Sequence, residues 1–293
     1  MHLRIPTDIK PIRRTRMISR IPGPSRRTLA ALAACTALVV AGPAATAHAA
    51  TASTGSGTDS GTSSGTTVHF PGLPQVGALF SSADYTGSTA AHFCTGTVID
   101  SPRGDIVLTA AHCVWSASKD TYSHSSITFA PGYDNGPNAH LGGVWNVEQI
   151  DVSPGYQADG NPADDYAFLI IAPQHGLTIQ QVTGGLRLAT TRLPQQVSVV
   201  GYNDLAYDAD GNEPIVCRAT AFEETDDGEP WARFNCPNYQ DGTSGGPWIT
   251  RSGAVMGVIG GYEQGGDSPN WSYSAIFNTA TLAFYRSVAM PGR

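Results

Sequence analysis

Gln240-Asp-Gly-Thr-Ser-Gly-Gly-Pro247 is the stretch on which the reading of this chain turns. Glycines on both sides of Ser244 let the backbone turn tightly and expose the hydroxyl. They also aim the N–H groups of Gly242 and Ser244 at one point, the arrangement that stabilises a developing oxyanion. Gly/Ser clusters are ordinary turn signals too. Cys236 just upstream and the strand that starts at Pro247 set this one apart from a plain turn.

Two further stretches carry chemistry. Leu108-Thr-Ala-Ala-His-Cys113 ends an apolar strand and presents His112 beside a cysteine, where a disulfide can pin the backbone of the histidine. A histidine taken alone is more often a structural residue than a catalytic one. Asp164-Asp165-Tyr-Ala-Phe-Leu169 places a carboxylate directly before an apolar strand, where it can be buried against an imidazole. Of the two acids, Asp164 reads as the solvated loop end. Base, orienting acid and nucleophile therefore occur in the order His112, Asp165, Ser244.

That order is the one found in chymotrypsin. His92-Phe-Cys-Thr-Gly-Thr-Val-Ile99, the Ala-Ala-His-Cys turn, Asp165-Tyr-Ala-Phe-Leu169 and Gly242-Thr-Ser-Gly-Gly-Pro-Trp248 resemble the chymotrypsin-like serine proteases, in particular secreted bacterial members related to glutamyl endopeptidases. The resemblance spans nearly all of residues 70–290. It implies an all-β fold of two six-stranded antiparallel β-barrels, with the triad in the cleft between them and a C-terminal helix packed on the second; residues 279–289 suit that helix. It also implies a disulfide between Cys94 and Cys113 and a second between Cys217 and Cys236. No cofactor and no metal site are expected.

The departures from the animal digestive enzymes are informative. Those enzymes carry an aspartate before the nucleophile that pairs with a freed N-terminal amine, and here that position is Thr243. Six residues before Ser244, where the floor of the primary pocket is expected, stands Asn238 rather than an acid. A neutral residue before the cleaved bond is therefore expected over Arg or Lys, unless Asp241 turns inward and reverses the preference. Gly260-Gly261-Tyr262 resembles the edge that pairs with substrate backbone by strand addition. Glutamyl endopeptidases place a histidine on the strand leading to that edge, where this chain has Gly257-Val-Ile259.

The chain has 293 residues, 41% apolar and 14% charged, with 33 Gly and 20 Pro. Few charges and many turn residues suit many short strands. Runs such as Val76–Phe80, Asp105–Thr109, Val144–Val152, Asp165–Ile171, Val197–Gly201, Ile215–Phe222, Trp231–Asn235 and Ala254–Ile259 read as strands. Residues 68–293 read as one protease domain, and the Ser/Gly/Thr-rich residues 50–67 as a flexible linker or removable pro-segment.

Residues 1–49 read as an export signal, with Arg26-Arg27 before an apolar run from Leu29 to Val40 and Ala47-His48-Ala49 at the cut. Both the twin-arginine and the general secretory routes fit it. About a dozen apolar residues is too short to span a membrane, which takes ~20. The segment contains Cys35 and eight Lys/Arg against one acid, so its removal changes the formal charge from −7 to −14, nine cations against 23 acids. A body that acidic is not expected to bind nucleic acid or an anionic membrane. The four remaining cysteines are an even number, as an exported protein with disulfides requires.

The expected protein is thus a secreted, extracellular monomer that hydrolyses protein or peptide substrates. A catalytically silent protease-like binding module and an esterase using the same triad are the alternatives; the three intact triad residues argue against the first and the Gly-Gly edge against the second. Asp208-Ala-Asp-Gly-Asn212 reads as an acidic turn, since no Glu closes it as a calcium loop. Asn270-Trp-Ser272 fits a glycosylation sequon.

Overall fold

The structure is a computed structural model and describes residues 64–82, 91–226 and 228–290. The expected signal at 1–49 lies outside the described residues, as does most of the expected linker. The strands of the first half are β1 (Thr67–His69), β2 (Val76–Ser81), β3 (Cys94–Ile99), β4 (Ile106–Thr109), β5 (Trp115–Ser116), β6 (Thr121–Tyr122), β7 (Ile127–Pro131), β8 (Trp145–Val152) and, after helix α1 (Pro154–Asp159), β9 (Ala167–Ile171). Helix α2 (Ile179–Thr183) leads to β10 (Arg187–Leu188), β11 (Gln195–Gly201), β12 (Ile215–Asp226), β13 (Glu229–Asn235), β14 (Pro247–Thr250), β15 (Ala254–Val258), β16 (Trp271–Ser274) and helix α3 (Thr279–Ala289).

The first half closes as a six-stranded antiparallel barrel in the order β2-β3-β4-β9-β8-β7. Strand β7 closes it, setting Phe129 opposite Leu79 and Ala130 opposite Ala78. That strand is not among the runs read from the sequence: all five of its residues are buried, so there is no in-out alternation, and Ser126 and Gly132 at its ends look like turn residues.

The second half differs from the expected second six-stranded barrel. Its strands form one eight-stranded sheet in the order β10-β15-β14-β11-β12-β13-β16, with β1 on β12. Among the described residues no backbone ladder closes it. Where β15 approaches β16 at the far end of the path, Val258 N–H donates to the hydroxyl Oγ of Ser274 (3.1 Å) and Gly260 N–H reaches a backbone carbonyl, that of Tyr273 (3.1 Å). A side chain thus takes the place that a ladder carbonyl would hold.

Helix α3 is where the sequence places it, and its N-terminus is capped by Asn278 Oδ1, which accepts from Ala280 N–H at 2.7 Å. Its aromatic side packs on the first barrel. The Phe284 and Tyr285 rings lie 5.7 and 5.6 Å from that of Phe168 in β9, and Val288 and Ala289 join the buried cluster that holds the first barrel's core together with Ile249, Val255 and Val258 of the second half. The aromatic side of the helix finds its ring partners there. Among the described residues no helix is long and apolar enough to cross a membrane.

The ordered body starts earlier than the sequence suggests, because Gly65 N–H donates to Asn235 O at 2.9 Å and Thr67 pairs with Cys217 in the sheet. The end of the expected linker is therefore part of the folded domain.

His92 illustrates what burial does to a titratable group. It is 1% exposed, ringed by Phe80, Tyr133 and Tyr202, with Nε2 3.0 Å from Gly211 O. Burial lowers its pKa from 6.5, and the Gly211 carbonyl and Asp204 only partly oppose this. The folded state therefore holds His92 neutral while the unfolded chain binds a proton, so stability falls as pH drops below about 6.5. Between pH 7.5 and 5.5 the wild type is expected to lose more stability than His92→Gln. Denaturant midpoints of both proteins at the two pH values check it; parallel losses would rule the histidine out as the cause.

Candidate active site

Strand β4 ends at Thr109 and the chain turns through a 3-10 turn, Ala111–Cys113, that carries His112. The Cys94–Cys113 disulfide ties the turn back to β3, and a second disulfide links Cys217 to Cys236 in the other half. On the neighbouring strand of the barrel Asp165 lies just before β9, which pairs antiparallel with β4 and sets Ala167 opposite Thr109. Its carboxylate is fully buried and accepts three hydrogen bonds: from His112 N–H at 2.9 Å, from His112 Nδ1–H at 2.7 Å, and from Gly261 N–H at 2.8 Å. A buried carboxylate needs such donors to stay charged. Two of the three come from His112 itself, so the acid fixes both the position of the turn and the tautomer of the ring.

Gly260 is what lets the third donor approach. A Cβ there would lie 2.9 Å from Asp165 Oδ2 and 3.3 Å from the Ala110 side chain. Gly245, next to the nucleophile, has φ +80° and packs against the same corner, where a Cβ would stand 2.2 Å from Thr109 Oγ1 and 3.0 Å from Ala110 N. Two glycine approaches around Ala110 thus bring the loops of Ser244, His112 and Asp165 together. Gly245 N–H donates to Ile259 O at 2.8 Å and locks the loop to the edge that ends in Gly261.

The loop of Ser244 is braced from both halves. Thr95 in β3 is fully buried; its N–H donates to Ser244 O (2.8 Å), and its hydroxyl donates to Gly242 O (3.0 Å) while accepting from Tyr202 N–H (3.2 Å). Asp204 N–H donates to Asp241 O at 2.6 Å. In a trans peptide the N–H points opposite to the carbonyl, so engaging Asp241 O turns the Gly242 N–H away from Asp204. Among the described residues neither the Gly242 nor the Ser244 N–H has a backbone acceptor. Thr95→Val removes the clamp, and turnover is expected to fall about tenfold, with a stability loss of about 1–3 kcal/mol from the orphaned carbonyl and amide. Thr95→Ser keeps the hydroxyl and should retain most of the rate; steady-state kinetics and unfolding midpoints of the pair decide it.

Two cavities flank the site. One of about 230 Å³ is lined by Ser244, Thr243, Asp241, Tyr239, Ile259 and Asp267, among others. One of about 350 Å³ lies against His112, with Trp115, Tyr156 and Gly160. Gln264 lines both. Tyr156 is buried near Asp165, and burial followed by that charge drives its pKa upward.

Asn238, expected at the pocket floor, does not line the cavity beside Ser244. It is exposed with φ +65°; its amide faces Asp208 (3.4 Å), and its carbonyl accepts from Asn203 (3.1 Å). The position is instead taken by Tyr239, whose ring turns into the core and whose hydroxyl donates to Val199 O at 2.7 Å. Asp241 and Asp267 are the charged residues of the lining, with no Lys, Arg or His. The Tyr207 hydroxyl faces Asp241, and its hydrogen bond to that carboxylate raises the phenol's pKa. Gly260 and Gly261 sit behind Asp165, and Tyr262 hydrogen-bonds Asp226 at 3.2 Å. The residues 208–212 form a turn in which Asp208 accepts from Asp210 N–H at 3.1 Å. Thr95, Asp204, Gln264 and Asp267 have no sequence signal as site residues; Thr95 alone lies inside a stretch the motifs single out.

A closed β-barrel joined to a second β-sheet, with a histidine turn, a buried aspartate and a glycine-flanked serine loop meeting between them, defines the architecture of the chymotrypsin-like serine proteases. Residues 74–281 match the family described as Trypsin, and the chain belongs to that family; it is a serine endopeptidase. Among solved structures it is similar to the protease Anisep from Arthrobacter nicotinovorans (21% identity, TM-score 0.63, covering 76% of this chain and 99% of that one). It is also similar to the thermostable serine protease AL20 from an extremophilic microorganism (27% identity, TM-score 0.59, 75% and 98%). A Glu endopeptidase in complex with MPD is a further neighbour (20%, TM-score 0.57, 78% and 97%). A search of curated proteins found no match.

Proposed function

We propose that this chain is a secreted endopeptidase that cleaves peptide bonds through an acyl-enzyme carried by Ser244. The observation that carries this reading is the fully buried Asp165 carboxylate held 2.7 Å from His112 Nδ1 beside the glycine-flanked Ser244 loop. In this mechanism Ser244 Oγ attacks the scissile carbonyl, and His112 Nε2 takes its proton and returns it to the leaving amine. Asp165 keeps Nδ1 protonated and stabilises the imidazolium that forms. The N–H groups of Gly242 and Ser244 receive the negative charge of the tetrahedral intermediate. The acyl-enzyme is then hydrolysed by water, with His112 as base again. The two disulfides and the signal-like N-terminus support an extracellular location.

With Asn238 outside the cavity and Asp241 and Asp267 on its lining, the specificity expectation reverses toward substrates with Arg or Lys before the cleaved bond. Both acids are exposed, so each contributes modestly, about 0–1 kcal/mol. Digestion of a peptide library by the purified protein, with sites read by mass spectrometry, tests activity and preference together. Asp241→Asn is expected to lower the basic preference up to about fivefold. No cleavage at all would sink the endopeptidase reading, and cleavage mainly after neutral residues would sink only the pocket assignment.

A further inference from the structure

On one face of this acidic body the charge is reversed. Eight Lys and Arg fall within the described residues, and four of them, Arg187, Arg192, Arg218 and Arg251, line two cavities on the second sheet. One, of about 410 Å³, is formed by Arg218 and Arg251 with Gln196, Ser198 and Thr250. The other, also about 410 Å³, is formed by Arg187 and Arg192 with Gln195, Thr250 and Ser252. Thr250 belongs to both walls, so the two adjoin. The strand register makes the row: Arg218 of β12 stands opposite Ser198 of β11, Ser198 opposite Ile249 of β14, and Arg187 of β10 opposite Ala254 of β15.

All four arginines are exposed, and no Asp or Glu lines either cavity. Among the described residues none of the four forms an ion pair, whereas Arg103 pairs with Asp105 and Arg233 with Glu224. Like charges gathered on one face oppose the compact state until a counter-charge arrives. At physiological salt the Debye length is about 8 Å, so acids on the other faces do not cancel the field of this row.

The chemistry of the lining selects the counter-charge. Guanidinium forks suit phosphate and sulfate oxygens, and the hydroxyls of Ser198, Thr250 and Ser252 add neutral donors. No aromatic side chain lines either cavity, so bases have nothing to stack on. Exposed apolar anchors of the kind a protein interface uses are missing from the lining as well. We propose that this face is an exosite for a linear, base-free polymer bearing phosphate or sulfate groups. Strand β14 runs from Pro247 to Thr250, which lies six residues beyond Ser244, so at ~3.3 Å per residue at most the shared wall of the row is within roughly 20 Å of the nucleophile. No residue of the candidate site lines either cavity, and the span is short enough to hold polymer-bound substrate beside the cleft.

The test measures binding directly, with labelled long-chain polyphosphate, dextran sulfate and oligo(dT) of matched charge as probes. One or both of the first two should bind wild type, with log K falling by about three for each tenfold rise in salt, as four released counterions predict. Whichever of the two binds tighter identifies phosphate or sulfate as the source. Arg218→Gln with Arg251→Gln, and Arg187→Gln with Arg192→Gln, should each weaken binding at least tenfold and halve the salt dependence. Hydrolysis of a short peptide should be unchanged in both variants. The proposal is overturned if neither polymer binds at low salt, if the fourfold variant binds as wild type does, or if oligo(dT) binds more tightly than both, which would mark a nucleic-acid site. Because binding is read without turnover, its failure is distinct from any failure of the peptidase reading.

Discussion

Ser244→Ala and His112→Ala are each expected to lower peptide turnover by roughly four to six orders of magnitude, while the unfolding midpoint stays close to that of wild type. The magnitude follows from the two groups acting as one unit: without the hydroxyl there is no acyl-enzyme, and without the imidazole the hydroxyl keeps its proton. Neither change disturbs the framework. Ser244 is only half-buried, and its loop is held by backbone contacts, Ser244 O to Thr95 N–H and Gly245 N–H to Ile259 O, that alanine retains. The backbone N–H of residue 112, 2.9 Å from Asp165 Oδ1 in the wild type, is one that alanine also carries. Single-turnover kinetics with a peptide ester, together with a fluorophosphonate probe that labels wild type at Ser244 alone, measure the effect. Near-wild-type turnover in either variant removes that residue from the mechanism.

Asp165→Asn should cost about four orders of magnitude in turnover, with the fold again intact. The carboxamide has the same shape but one acceptor in place of two. Three N–H donors converge on this side chain, His112 N, His112 Nδ1 and Gly261 N, so an amide Nδ2 must face at least one of them. The relief available is for His112 to shift its proton to Nε2, which is the tautomer that cannot accept from Ser244. A nitrogen chemical shift of the ring reports that tautomer independently of rate. Loss of rate with Nδ1 still protonated would place the role of Asp165 in charge stabilisation alone.

The chemistry of the candidate site was legible because it is written in local patterns. Glycines at 242, 245 and 246 around a serine, a cysteine beside a histidine and an acid before an apolar strand each state a backbone requirement within a few residues. The same locality explains why helix Thr279–Ala289 and most strand cores were readable: side-chain periodicity and a capping Asn278 are properties of one segment. That Asn238 stands outside the lining of the cavity beside Ser244 was not legible, for the opposite reason. Counting back from Ser244 gives chain position, but whether residue 238 or 239 turns inward depends on the bonds Asn238 makes with Asn203 and Asp208.

The mostly-β fold class, the order of His112, Asp165 and Ser244 along the chain, and the four cysteines that pair were thus written in the sequence itself. Only the tertiary structure decided how the second half pairs, where helix α3 packs and what braces the site. Thr95 and Gly242 lie 147 residues apart, and Asp165 and Gly261 lie 96 apart. Each contact joins a donor to a backbone carbonyl or a carboxylate that any residue sequence between them could have carried elsewhere. A backbone amide has no residue type, so the donors that hold Asp165 and turn the Gly242 peptide leave no mark in the sequence; they exist only once two distant turns are packed against Ala110.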